Sequence, residues 1–434
     1  MKKVGLISLG CHKNLVDSEN ILGLFDRNNY EITNDPGDAD IIVINTCGFI
    51  ESSKKESINN IFEMLDYHKK VVVTGCLTER YYEALKKEIP EVDLFIPIRE
   101  YSHFNKHLYA LDKDINPDLG LDDEYRIVST GPYSAYLKIG EGCDNRCSYC
   151  AIPFIRGHFV SRPPKEIIKE AKELASNGIK EIIILEQDTT KYGIDLKEDK
   201  TDIVGLLKEL LTIKELEYIR LLYLYPDEIS DELIDLIAEE KRLTPYFDVP
   251  IQHSETHILK DMNRRGDKEF LRKLFTKIRN KVPNAILRTT VMVGFPGEKE
   301  EDVDNLISFM KEIKFDHLGS FTYSREEDTP SYDFPHQIDE ETKKARLDKV
   351  MRAQRSISYN LNKAHIGEIM EGLVIGKDNS NYLLRSYWNA PDDVDGKIYI
   401  NTNGKDLKFG DIVKVKITHA FVYDLMGDLI IEEK

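Results

Sequence analysis

At 434 residues, with 41% apolar and 32% charged side chains, the chain has the composition of a folded protein of two to three domains, not of a disordered or fibrous one. No apolar run approaches the roughly 18 residues of a membrane-spanning helix. The apolar stretch after the two N-terminal lysines is too short for a secretory leader and has no small-residue cleavage site, so a cytoplasmic protein without a membrane partner is expected. Lys and Arg number 60 against 77 Asp and Glu, a net charge of −17, which serves solubility, repels nucleic acid at long range and suits a basic protein partner.

Three short β-branched runs open the chain, KKVGLISLG, ADIIVINT and KKVVVTG, each of the kind that fills a buried parallel strand. Each precedes a helical pattern; after the second, Ile58, Ile61, Phe62 and Leu65 recur at the spacing of one helix face. Residues 1–115 are therefore expected to form an α/β domain of βαβ units. A Asp-, Gly- and Pro-rich linker follows, from about 109 to 133. Alternation resumes with SAYLKIGEG, KEIIILEQD, YIRLLYLYP, YFDVPIQ, AILRTTVMVG and HLGSFTYS as strands, so 130–360 is expected to be a partial (β/α) TIM-like barrel, with an open doubly wound sheet as the alternative. A charged helical connector spans about 339–363. Short strands EIMEGLVIG, NYLLRS, GKIYIN, GDIVKVKITHAFV and DLIIEE then predict a small β-barrel over 365–434.

Six cysteines lie in the first 150 residues, in two sets. Cys143, Cys147 and Cys150, in GCDNRCSYC, have the close spacing of thiols that wrap one ion or cluster. A structural zinc with His158 as fourth ligand is one reading; a closed electron-carrier cluster lacks a nearby fourth cysteine. Three thiolates on a 4Fe-4S cluster leave one iron open, the mark of a reactive site. Cys11, Cys47 and Cys76 are far apart in sequence, yet each directly follows a predicted strand, in SLGC, INTC and VTGC. Parallel strands end on one edge, so the three are expected to converge there, near helix starts that favour thiolate. Ordinary buried cysteines are the alternative.

The CxxxCxxC run resembles the signature of radical S-adenosylmethionine (SAM) enzymes. SLGCHKNLVDSE, NTCGFIESSKKESI and EGCDNRCSYCAIPFIRGHFVSRP resemble the methylthiotransferase branch, of the RimO type that acts on a ribosomal protein; the tRNA-modifying MiaB type shares the cysteine plan but differs after the first two cysteines. The resemblance covers the whole chain. It implies a cluster-binding N-terminal domain, a radical SAM barrel and a C-terminal, OB-like TRAM domain that binds substrate. It further implies two 4Fe-4S clusters and two molecules of S-adenosyl-L-methionine per turnover, one to methylate a sulfur on the cluster of Cys11, Cys47 and Cys76, one to yield a radical at the cluster of Cys143, Cys147 and Cys150. The implied target is the β-carbon of an aspartate in small-subunit ribosomal protein twelve, with a flavodoxin or ferredoxin as electron donor and a separate sulfur donor.

Around the SAM, the resemblance implicates Glu186, Gln187 and Asp188 at a strand end for the methionine amine or ribose, though they could equally cap the next helix. It also points to Gln252 and His253 in PIQHSE, and to the GFPGE run from Gly294 through Gly297 to Glu298 for adenine; a structural histidine and a tight turn are the plainer readings. The cofactors carry the hard steps, so no side-chain acid or base is assigned a central role. From His365 onward, eight Lys and Arg face twelve Asp and Glu, which favours a basic protein over tRNA as substrate. A non-enzymatic iron-sulfur or zinc scaffold is the remaining alternative.

Overall fold

The computed structural model describes residues 1–121, 125–197, 200–379, 381–391 and 395–431. The first five strands are β1 (Lys3–Ser8), β2 (Glu31–Ile32), β3 (Ile41–Thr46), β4 (Lys70–Gly75) and β5 (Leu94–Ile96). They form one parallel sheet in the order β2-β1-β3-β4-β5. All of β3 is buried, which is why ADIIVINT shows no alternation. The edge strands β2 and β5 have only two and three residues, too few for any periodic signal. Helices α1 (His12–Arg27), α2 (Glu51–Leu65), α3 (Cys76–Glu88) and α4 (Phe104–Leu111) pack on this sheet.

The expected apolar face of α2 is partly wrong. Ile61 and Met64 are buried, but Phe62 is 51% exposed. Ile61 and Phe62 are consecutive and so point about 100° apart around the helix, and only Ile61 turns into the core. Phe62→Ser is therefore expected to change stability by less than about 0.5 kcal/mol; a chemical denaturation midpoint that drops clearly would show Phe62 to be part of the core.

The central strands are β6 (Ser134–Lys138), β9 (Glu181–Leu185), β10 (Tyr218–Leu221), β11 (Tyr246–Asp248), β12 (Ile286–Val293) and β13 (His317–Thr322), with a two-stranded ribbon of β7 (Gly140–Glu141) and β8 (Val160–Ser161) beside them. Pairing runs β6-β9-β10 and β11-β12-β13, all parallel. A bridge from Ile219 to Leu243 joins the two halves. Spatial order thus equals chain order, as in a barrel wall; a doubly wound sheet would reverse direction. Helices α5 (Ile152–Arg156), α6 (Pro164–Ser176), α7 (Ile203–Leu210), α8 (Asp231–Glu239), α9 (Thr256–Asp261), α10 (Lys268–Lys281) and α11 (Glu300–Ile313) intervene, and the long α12 (Glu340–Ala364) follows. The largest core lies between these strands and their outer helices, with Ile182, Ile184, Leu206, Leu287 and Phe309 fully buried.

The last strands are β14 (Ile369–Asp378), β15 (Asn381–Ser386), β16 (Ile398–Asn401), β17 (Ile412–Ala420) and β18 (Leu425–Leu429), closed into a barrel in the order β14-β15-β16-β18-β17. The final strand starts earlier than DLIIEE predicts, because its pairing with β16 begins at Leu425 opposite Ile398; residues 432–434 lie outside the described residues. This small barrel engages the first residues of the central strands. Arg385 meets Glu181 at 3.3 Å, the Tyr246 hydroxyl donates to Asp395 at 2.8 Å, and the His317 ring bonds the Trp388 carbonyl at 2.7 Å. The opposite ends of the strands stay open for a site.

Candidate active site

Each distant cysteine sits where a strand gives way to a helix. Cys11 is the N-cap of α1, Cys47 directly follows β3, and Cys76 opens α3. Gly10, at φ +87°, lies so close to Cys47 that an added Cβ would be 2.9 Å from its sulfur, so only glycine lets the two loops meet. Asn14 ties them further, donating from Nδ2 to the carbonyls of Leu9 at 2.9 Å and Thr46 at 3.0 Å. Ser57 fixes Cys47 from both sides: its Oγ accepts from the Cys47 amide at 3.0 Å and donates to the Cys47 carbonyl at 2.8 Å.

The loop of Cys143, Cys147 and Cys150 is held with equal care. The Asn145 Nδ2 donates to Asp188 at 2.7 Å, the Ser148 hydroxyl to the Asp261 carbonyl at 2.7 Å, and the Asn263 Nδ2 to the Arg146 carbonyl at 2.9 Å. His158 is exposed and pairs with Asp144 at 2.8 Å, so it does not complete this site.

All six cysteines line one cavity of about 490 Å³. Cys11, Cys47 and Cys76 come to it from the N-terminal sheet edge; Cys143, Cys147 and Cys150 face them from the loop after β6. Further wall is supplied by the ends of the central strands, through Gln187, Tyr223, Tyr225, Gln252 and Phe321. Tyr223 and Gln252 hold φ of +61° and +67°, strain of about 1–3 kcal/mol each that the fold spends at functional sites. Burial pushes the Cys76 thiol up to about 12 and Cys143 to about 11, and raises Cys47 and Cys150 as well. Such thiols are protonated at neutral pH, so ligation must release protons. Among the described residues no group of three His, Cys, Asp or Glu side chains is gathered tightly enough for a single ion. Three thiols on each side of the cavity are the donor type that iron-sulfur clusters take.

Two arginines touch the thiols. From the end of α5, Arg156 donates to Cys76 Sγ at 3.5 Å, to Asp17 at 2.6 Å and to Glu141 at 2.9 Å, and also to Asn14. Lys138 meets the other oxygen of Asp17 at 2.7 Å. This buried network fastens α1 to the central barrel beside Cys76. Arg264 approaches Cys147 Sγ at 3.8 Å, lies 4.3 Å from the Tyr225 ring centre and donates to the Pro250 carbonyl at 2.6 Å. Lys13 and Arg288 complete the cations on the wall, and among the described residues no carboxylate lines it.

The residues expected around SAM divide. Gln187 and Gln252 reach the cavity. Asp188 does not line it and instead accepts from Asn145 and from the Thr190 hydroxyl at 2.5 Å, buttressing the cysteine loop. Gly294 and Gly297 stand away from the wall: Gly294, at φ +77°, packs against Lys343 of α12 and donates to Glu298 at 2.5 Å. His253 is fully buried against Glu298 at 3.4 Å, the structural histidine of the plainer reading. Glu186 is fully buried behind the wall against Gly140, with neither oxygen hydrogen-bonded.

Burial, reinforced by Asp188 and Glu141, pushes the Glu186 carboxyl up to about 10 from 4.5. A carboxyl that holds its proton more tightly when folded opposes folding above its unfolded pKa, and the penalty grows until pH passes the folded value. Glu186→Gln should thus be neutral below pH 4.5, increasingly stabilising above it, and level off near pH 10. At pH 7 the gain is up to about 3 kcal/mol. Denaturant unfolding of the protein without SAM across this range checks it; a loss of stability at pH 7 would mean the carboxylate is ionised and paired.

Lys13 and Arg156 lie inside the quoted cysteine motifs, where a cation next to a thiol is a signal. Arg264 and Arg288 carry none, since nothing local marks them. Residues 3–97 match the Uncharacterized protein family UPF0004, 137–310 the Radical SAM superfamily, and 366–430 the TRAM domain. The ribosomal protein uS12 methylthiotransferase RimO of Alkaliphilus oremlandii is 47% identical, over 99% of this chain and 100% of that protein. The RimO of Acetivibrio thermocellus is 46% identical, over 99% of both chains. Among solved structures, the radical S-adenosylmethionine methyltransferase TsrM from Kitasatospora setae, with cobalamin and a 4Fe-4S cluster bound, superposes with a TM-score of 0.55 at 13% identity, over 86% of this chain and 81% of that one, a likeness of fold alone. Among the described residues no helix is long and apolar enough to cross a membrane. With full-length identity near one half and all three domain signatures in place, the chain belongs to the RimO methylthiotransferase family of the radical SAM superfamily.

Proposed function

We propose that the protein methylthiolates the β-carbon of an aspartate in ribosomal protein uS12, using two 4Fe-4S clusters and two molecules of S-adenosylmethionine per turnover. The observation that carries this reading is the single cavity onto which both thiol triads open. When bound, one cluster with S-adenosylmethionine supplies a carbon-centred radical and the other supplies the sulfur. Cys143, Cys147 and Cys150 hold the first; Cys11, Cys47 and Cys76 hold the second. Gln187 and Gln252, on the wall, are polar groups that could contact S-adenosylmethionine; Glu186 packs behind that wall, Asp188 braces the cysteine loop, and Gly294 and Gly297 stand away from it. The cations on the wall favour thiolates, the methionine carboxylate and an anionic substrate side chain together. Burial and the aromatic rings of Tyr223, Tyr225 and Phe321 exclude water from a reactive radical.

The same reading divides the labour along the chain. Residues 1–115 carry the sulfur-bearing cluster, 130–360 the radical chemistry, and 365–434 help to bind substrate. A cytoplasmic setting supplies a reductant such as flavodoxin or ferredoxin, and a sulfur donor. The test is direct: reconstituted, reduced protein is given S-adenosylmethionine with uS12 and with tRNA in parallel, and each is read by mass spectrometry. A methylthio mass gain on one aspartate of the protein is expected; a gain on tRNA alone would overturn the substrate.

A further inference from the structure

The wall of the cavity carries Lys13, Arg156, Arg264 and Arg288 in a chain whose net charge is −17. Arg156 is matched by Asp17 and Glu141, and Arg288 by Asp248 at 2.7 Å. Arg264 is committed to the Pro250 carbonyl, Tyr149 and Cys147. Lys13, like Arg264, has no carboxylate partner among the described residues. It is only 7% exposed, its Nζ stands 3.4 Å from the Glu186 carbonyl and 4.1 Å from the Tyr223 ring centre, and no carboxylate oxygen lies within ion-pair distance of it among the described residues. A buried amine whose hydrogen-bond partner among the described residues is one carbonyl at 3.4 Å, on the wall of the shared cavity, suits an anion brought to it. The first turn of the 16-residue α1, where Lys13 sits, adds its own positive potential.

We propose that Lys13 binds the side-chain carboxylate of the substrate aspartate and thereby selects aspartate over asparagine. The inference rests on the reading of uS12 as substrate and deepens it. The carbon that receives sulfur is bonded directly to that carboxylate. The sulfur would be supplied at the cluster that Cys11, Cys47 and Cys76 would hold, and Lys13 is two residues from Cys11. A substrate placed for sulfur transfer therefore brings its carboxylate to the ammonium.

The experiment compares iron-loaded wild type, Lys13→Gln and Lys13→Arg, first by equilibrium binding of uS12 carrying Asp or Asn at the modified position, without reductant, then by turnover. Wild type should bind the Asp form at least about tenfold more tightly, as expected for one charge-assisted contact. Lys13→Gln should bring the two forms to within about threefold of each other, through a raised KM for Asp, and Lys13→Arg should keep the preference. Persistence of the preference in Lys13→Gln, its loss in Lys13→Arg, or its absence in wild type would overturn the proposal. So would weakened S-adenosylmethionine binding as the only change, which would assign Lys13 to the methionine carboxylate. Wild type that modifies tRNA and not uS12 would instead remove the underlying reading, a separate outcome.

Discussion

Replacing Cys143, Cys147 and Cys150 together by Ala is expected to abolish methylthiolation and S-adenosylmethionine cleavage while leaving about half of the bound iron and sulfide. The two thiol triads share a cavity but not a scaffold. Cys11, Cys47 and Cys76 are fixed by the N-terminal sheet edge, by Asn14 and by Ser57, and the loop of the other three by Asp188, the Asp261 carbonyl and Asn263. The reciprocal variant, with Cys11, Cys47 and Cys76 changed to Ala, should still cleave S-adenosylmethionine to deoxyadenosine yet insert no sulfur. Iron and sulfide counting after anaerobic reconstitution, with product analysis by mass spectrometry, reads both. Full iron content in either variant, or sulfur insertion by the second, would break the assignment of one cluster to each triad.

Arg156→Gln should destabilise the protein by about 3 kcal/mol, the low end for breaking a buried ion pair because Lys138 remains on Asp17. The Arg156 side chain is 2% exposed and bridges Asp17 of α1, Glu141 of β7 and the sulfur of Cys76. Removing its charge leaves Asp17 and Glu141 to share Lys138 as their cation and loosens α1 from the barrel, so the two halves of the cavity lose their alignment. Arg156→Lys should not restore the full network, since one ammonium cannot reproduce a planar fork with four acceptors. Denaturant unfolding gives the cost, and a double-mutant cycle with Asp17→Asn gives the coupling. A loss below about 1 kcal/mol would show that the N-terminal sheet is held to the barrel by other contacts.

Much of this was legible from local pattern. Buried parallel strands announce themselves as unbroken β-branched runs, so the three long N-terminal strands and the six of the barrel were readable, while β2 and β5 were too short to register. The cysteines were legible because a parallel sheet ends its strands on one edge whatever the sequence between them. Phe62 was misread because a helix repeat marks which residues share a face but not how far that face wraps around the sheet. The residues around S-adenosylmethionine were only partly legible: the strand-end rule places Glu186, Gln187 and Asp188 within three consecutive positions, and adjacent side chains at a strand end point different ways. Gln187 therefore reaches the cavity while Glu186 turns behind its wall and Asp188 braces a loop.

The sequence by itself determined the thiol donors, their grouping by threes and the barrel that carries one group, since these follow from spacing and strand order. Only the tertiary structure decided that the two groups face each other across one cavity and that cations, not carboxylates, line it. Arg156 and Asp17 are 139 residues apart, and Lys13 and Glu186 are 173 apart. Contacts at such separations arise from how whole domains pack, and they leave no period in the chain.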